Sequence, residues 1–148
     1  MSMIQIRAVI REDHSAWLPL WQAYQRFYNV QIPDHVTEST WQRMHDAYEP
    51  VNAALAWHDG KAVGMVHYIF HRSCWTIEPS CYLQDLLVNE GQRGLGIGRQ
   101  LIEYVYAQAK TAGCTRVHWL TQETNTTAIG LYEHVADRPG FIQFRKTL

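Results

Sequence analysis

The stretch Gln92-Arg93-Gly94-Leu95-Gly96-Ile97-Gly98-Arg99 constrains this chain more than any other. It follows a strand-like run, Cys81 to Val88, and opens a helical pattern running from about Gly96 to Ala112. In that pattern Ile97, Leu101, Ile102, Val105 and Ala109 recur with the 3.6-residue period of an amphipathic helix, and Gly113 stops it. Glycines at every second position let the backbone turn sharply and approach a ligand closely. The helix that follows aims its free N–H groups and positive dipole end back at the loop. Strand, glycine-rich loop and helix in that order make an anion site, most naturally for phosphates. Arg93 and Arg99 add charge on either side. The spacing matches neither common nucleotide fingerprint: the last glycine of GxGxxG would fall on Arg99 or Leu101, and no Lys-Ser or Lys-Thr follows for a P-loop. From the glycines alone, a tight turn that binds nothing is the competing reading.

The rest of the chain narrows the classes. Its 148 residues predict one domain, 1–148, large enough to bury a real core without staples. With 13 basic and 14 acidic side chains, no basic excess points to nucleic acid. Apolar runs fall far short of the ~20 residues of a membrane helix, and the N-terminus lacks the order of a signal peptide. Cys74, Cys81 and Cys114 are an odd number without a CxxC pair, which predicts free thiols and a reducing cytoplasm. His67 and His71 are four apart, but they lie in a strand-like run with no HExxH and no cysteine partner. No metal is expected, and the histidines read as surface or loosely satisfied groups.

Residues 3–10 predict a strand. Trp17, Leu20, Trp21, Tyr24, Phe27 and Tyr28 form a helical stripe, with Trp17, Trp21 and Phe27 read as core. A loop through Pro33 leads to a second helix, Thr37 to Tyr48, capped by Thr37 or Ser39. A strand from Ala53 to Trp57 and another from Ala62 to His71 flank Asp59-Gly60, a strong hairpin signal. Residues 73–80 connect to the strand Cys81 to Val88. After the long helix come a strand from Thr115 to Thr121, a helix from Asn125 to Val135 and a short strand from Phe141 to Arg145. The order βααβββαβαβ predicts an α/β fold with a central mixed, mostly antiparallel sheet flanked by helices. Trp57, Trp75 and Trp119 are read as packing residues.

Arg93-x-x-Gly96-x-Gly98, after a strand ending Leu86-Leu87-Val88, resembles the acetyl-CoA-binding motif of the GCN5-related N-acetyltransferases. A second motif lies at the family's usual distance: Asn125-x-x-Ala128-x-x-Leu131-Tyr132, then Gly140-Phe141. The likeness covers residues 81–144 and is greatest to the branch containing histone and polyamine acetyltransferases. It implies that backbone groups of Leu86, Leu87 and Val88 hold the pantetheine arm of acetyl-CoA. It implies likewise that the N–H groups of Gly94, Leu95, Gly96, Ile97, Gly98 and Arg99 cradle the pyrophosphate, that Asn125 touches the cofactor arm, and that Tyr132 is the general acid. A phenol suits that role, being neutral at pH 7 and able to donate a proton. The competing role for Tyr132 is a packed aromatic.

Acetyl transfer to an amine also needs a group that removes a proton from the nucleophile. Diamine-acetylating relatives have a Glu-Asp pair where this chain has Gln84-Asp85. Gln84 can orient an amine or a water but cannot take the proton. Asp85 is the next candidate, although strand alternation points neighbours to opposite faces unless a bulge intervenes; a structural role for Asp85 fits equally. Glu123 acting through water is a further candidate. Tyr24 and Tyr28 are expected on the acceptor wall. The expected activity is acetyl transfer to a small-molecule or lysine-type amine by direct transfer in a ternary complex; the alternative is a non-catalytic acyl-CoA-binding regulatory module. The closing strand, with its aromatic residues at the end of a sheet, would expose unpaired edge groups. Together with the family's habit of pairing through C-terminal regions, this predicts a two-fold homodimer.

Overall fold

The computed structural model describes residues 3–92 and 94–148. Five strands, β1 (Gln5–Ala8), β2 (Val51–His58), β3 (Lys61–His71), β4 (Ser80–Val88) and β5 (Val117–His118), form one sheet in the order β1-β2-β3-β4-β5. The first three pairings are antiparallel and β4–β5 is parallel. The parallel step needs a crossover, supplied by α3 (Ile97–Thr111). Helices α1 (His14–Phe27) and α2 (Asp34–Arg43) precede β2, and α4 (Thr126–Val135) follows β5. This is the mixed, mostly antiparallel α/β sheet that the pattern predicts.

Local chemistry sets the boundaries. Asp59 and Gly60 both have positive φ, 52° and 76°, as a two-residue hairpin turn requires. Pro33 sits at the N-cap of α2, so that helix starts at Asp34 rather than at Thr37. The Thr37 hydroxyl accepts a hydrogen bond from the Trp21 indole N–H at 3.2 Å instead of capping. The start of α1 is tied to β1 by a bidentate Arg7–Asp13 pair at 2.7 and 3.0 Å. That pair holds the Asp13 carboxyl below the usual carboxylate range.

Each face of the sheet has its own core. Ala54, Ala56, Val66, Tyr68, Cys81 and Leu83 pack beneath Ile97, Leu101, Ile102 and Val105 of α3. On the opposite face Leu55 and Met65 pack beneath Trp17, Leu20, Trp21 and Trp41 of α1 and α2. Gly64 lets the start of α3 sit close to the sheet: a Cβ there would lie 3.1 Å from Leu101, 3.2 Å from Ile97 and 3.2 Å from the Leu87 carbonyl oxygen. That close approach places the N-terminus of α3 at the end of β4.

The expected strand Phe141–Arg145 does not form. Residues 137–148 carry no regular structure, and Phe141 and Phe144 are 81% and 88% exposed. Two physical reasons account for this. The two phenylalanines are three residues apart, so a strand would place them on opposite faces. The neighbouring strand, β5, is only two residues long, too short an edge to template another. Two aromatic readings also fail: Phe27 is 55% exposed and Trp75 is 78% exposed, the latter beneath the Arg116 guanidinium.

Candidate active site

The parallel pairing of β4 with β5 covers only Cys81–Val117 and Tyr82–His118. Past that point β4 keeps β3 on one side, with Leu86, Leu87 and Val88 opposite Val66, Met65 and Gly64. The chain after His118 leaves the sheet, so among the described residues no strand pairs with the other edge of Leu83–Val88. An extended ligand can add to such an edge through backbone hydrogen bonds.

At the end of that edge the chain turns through Glu90–Gln92 and the glycine loop. Gly94 and Gly96 have φ of +84° and +74°, and a Cβ on either would meet nothing within 4 Å. The loop is thus an open cradle whose backbone conformation favours glycine. Gly96 is the N-cap of α3, and no side chain caps that helix end. The N–H groups of Ile97, Gly98 and Arg99 therefore face the cradle, with the helix dipole behind them. The Ile97 side chain is buried in the core, so only its backbone can serve a ligand. Gly98 lies against Leu131 and Val88. Leu95 is exposed, and exposed Arg99 pairs with Glu103 at 3.0 Å. Arg93 lies outside the described residues. The cradle thus stands at the end of β4, beside its unpaired edge.

The bulge that the Gln84-Asp85 problem required is present. Asp85 opposes His67 and Leu83 opposes Tyr68, so Gln84 has no partner on β3. The extra residue reverses the alternation. Leu83 faces α3, whereas Asp85 turns to the α1 face, where it is 8% exposed. Gln84 is exposed at the bulge. Three phenols interact with the carboxylate: Tyr24 of α1, which hydrogen-bonds it, Tyr28 at the C-cap of α1 and Tyr82 of β4. All three are pushed above the usual phenol range, chiefly by burial and then by the Asp85 charge.

Tyr132, on α4, packs edge-on against Trp119 with ring centroids 5.4 Å apart. Burial, and next the neighbouring Tyr28, push its phenol up as well. Tyr132 packs against the α3-side core, and Tyr28 is the C-cap of α1. Asn125 is the N-cap of α4, donating from Nδ2 to the Thr121 hydroxyl at 3.4 Å. Asp85 thus interacts with Tyr24 and Tyr28, and Tyr28 in turn with Tyr132.

One expectation is corrected here. His67 is neither superficial nor loosely satisfied. It is 3% exposed, and both ring nitrogens are hydrogen-bonded, Nδ1 to Asp85 at 2.8 Å and Nε2 to the Trp17 indole at 2.9 Å. The available signal was its place in Val63–Tyr68, a run apolar on both faces. A polar group there must find partners.

Residues 17–136 match the model of the Acetyltransferase (GNAT) family. Over 145 residues the chain is 35% identical to the D-amino-acid N-acetyltransferase HPA3 of Saccharomyces cerevisiae, covering 97% of this chain and 90% of the yeast protein. It is 32% identical over 88 residues to the thialysine N-epsilon-acetyltransferase of Mus musculus, covering 56% of this chain and 51% of the mouse protein. The fold superposes on an AAC(6')-Iy structure in complex with a bisubstrate analogue, CoA-S-monomethyl-acetylneamine. The TM-score is 0.86 at 18% identity, with 99% of each chain covered. The chain belongs to the GNAT acetyltransferase family and is an N-acetyltransferase. Among the described residues, no helix is long and apolar enough to cross a membrane.

Proposed function

We propose that the protein, acting as one catalytic domain over residues 1–148, transfers the acetyl group of acetyl-CoA to the primary amine of a small amino-acid-like molecule. Transfer is direct, in a ternary complex. The observation that carries this reading is that Tyr28 interacts electrostatically with both Asp85 and Tyr132. Asp85, directly or through a water, takes a proton from the acceptor ammonium. The freed nitrogen attacks the thioester carbonyl carbon, and its second proton passes to solvent water as the C–N bond becomes an amide. The Tyr132 phenol gives its proton to the departing thiolate as the C–S bond breaks, and is reprotonated from solvent. Tyr24, Tyr28 and Gln84 line the acceptor side.

The single carboxylate whose charge reaches Tyr24, Tyr28 and Tyr82 is Asp85. That supports an acceptor with one ammonium near the wall rather than a polyamine, and agrees with a yeast relative named for D-amino acids. Thiol release from acetyl-CoA with a panel of D- and L-amino acids, thialysine, ornithine and spermidine tests the assignment. Turnover is expected with amino-acid amines and little with spermidine. Binding of acetyl-CoA with no thiol release for any amine would favour the regulatory module instead.

The cradle has its own test. Gly96→Ala should lose acetyl-CoA affinity by at least about tenfold in calorimetry, equivalent to ~1.4 kcal/mol. The positive φ alone costs roughly 1–2 kcal/mol of stability. Gly113→Ala, with φ of +83° and equally open surroundings, should lose similar stability and no affinity. Equal affinities in the two variants would remove the loop from the cofactor site.

A two-fold homodimer remains part of this reading, on a changed footing. Phe141, Ile142 and Phe144 stand exposed on an unstructured segment, apolar surface that a second subunit can cover. Light scattering should give twice the monomer mass for the intact chain and the monomer mass after truncation at Pro139. A monomeric intact chain would refute the dimer. The cysteines Cys74, Cys81 and Cys114 are free, which supports a reducing, cytoplasmic setting.

A further inference from the structure

The Asp85 carboxylate does not stand alone. Behind it, at 2.8 Å from Oδ2, is Nδ1 of His67, and behind that ring, 2.9 Å from Nε2, is the indole nitrogen of Trp17. An indole N–H can only donate. Nε2 of His67 must therefore offer a lone pair, which places the ring proton on Nδ1, aimed at the carboxylate. The imidazole is wedged between Trp17 and Trp21, with centroid distances of 6.0 and 5.0 Å. It meets Asp85 because the bulge at Gln84 puts the two residues opposite each other. Trp17 itself is wholly buried, so the tautomer is set from inside the core.

We infer that His67 is a positioning residue for Asp85: the imidazole, held by Trp17 with its proton on Nδ1, engages Oδ2 and fixes the direction in which the carboxylate meets the acceptor's proton. This rests on the reading of Asp85 as the base. The imidazole is not itself the acceptor of that proton, because its free lone pair is spent on Trp17 and points into the core. A donor on one oxygen restricts the rotation of the carboxylate. The other titratable groups facing Asp85 are Tyr24 of α1, which also hydrogen-bonds the carboxylate, Tyr28 at the C-cap of α1 and Tyr82 of β4, and burial keeps all three phenols protonated at working pH. His67, from β3, therefore supplies a donor whose direction the core dictates.

Two substitutions separate the two hydrogen bonds. An asparagine amide reaches about where Nδ1 lies and can still donate to Asp85. A glutamine amide reaches about where Nε2 lies and can still accept from Trp17. If His67 positions the base, His67→Asn keeps the acidic limb of the kcat/KM profile near its parental place. His67→Gln then moves that limb up by about one pH unit and lowers kcat about tenfold, with the KM for acetyl-CoA unchanged. A merely structural histidine gives a different result: His67→Gln, which retains the core hydrogen bond, matches the parent, or both variants lose melting temperature with unmoved profiles. Either result overturns the inference. Nitrogen-15 NMR of the parent protein adds a test that needs no variant. A His67 ring protonated on Nδ1 supports the assignment, and one protonated on Nε2 overturns it. Asp85→Asn distinguishes the two levels of the argument. An acidic limb that survives in Asp85→Asn defeats the base and the His67 role together, whereas a limb lost there but unmoved in His67→Gln defeats only the latter.

Discussion

Tyr132→Phe is expected to fold like the parent, to bind acetyl-CoA almost unchanged, and to turn over about 10²–10⁴-fold more slowly, the usual range for losing a general acid. The ring of Tyr132 contributes to the α3-side core and meets Trp119 edge-on. Phenylalanine keeps both contacts, so the loss should appear in kcat and not in melting temperature. Burial and the neighbouring Tyr28 push the phenol above its ordinary range. A raised pKa means that the proton is still present at neutral and mildly alkaline pH, ready for the leaving thiolate. The parent enzyme should accordingly show no alkaline loss from this group below about pH 10, the ordinary phenol value. Stopped-flow or steady-state thiol release across pH 6–10 measures both effects. Undiminished kcat in Tyr132→Phe would reduce the residue to a packing aromatic.

What the chain discloses before folding depends on how local the cause is. The Asp59-Gly60 turn and the glycine loop were legible because positive φ is a demand on single residues, met by Gly94, Gly96 and Gly60. The helix α3 was legible from its periodic stripe, and its buried residues are the five that the stripe names. The bulge was legible only as a possibility, because it is a property of two strands: Gln84 is extra only once Asp85 has settled opposite His67. The tyrosine group around Asp85 drew Tyr24 and Tyr28 from the acceptor reading, but Tyr82 joins them only because the bulge sets its face. His67 escaped for a similar reason. Its spacing to His71 suggested metal chemistry, while its partners, Trp17 and Asp85, are distant in sequence. The aromatic residues of 141–145 suggest a strand, but the edge available to pair with it, β5, is only two residues long, and that length is set by distant packing.

Asp85→Asn is the other change with a large expected effect, about 10²–10⁴-fold in turnover at neutral pH. The amide is nearly the same size as the carboxylate. Its oxygen can still accept from Nδ1 of His67, so the buried hydrogen bond at 2.8 Å and the fold should both survive. What disappears is the capacity to take a proton. The variant must then wait for acceptor amine that has already lost its proton to solvent. For a lysine-like amine with a pKa near ~10.4, the free fraction rises tenfold per pH unit through the neutral range. The rate of Asp85→Asn should rise with it, while the parent rate levels off once Asp85 is ionised. The two profiles should therefore converge toward high pH, where solvent does the work of the carboxylate. A structural Asp85 predicts a different pair of results, a lower melting temperature with the parental profile shape retained. A stable variant with the parental rate at every pH would exclude both roles and return Glu123, acting through a water, as the group to test.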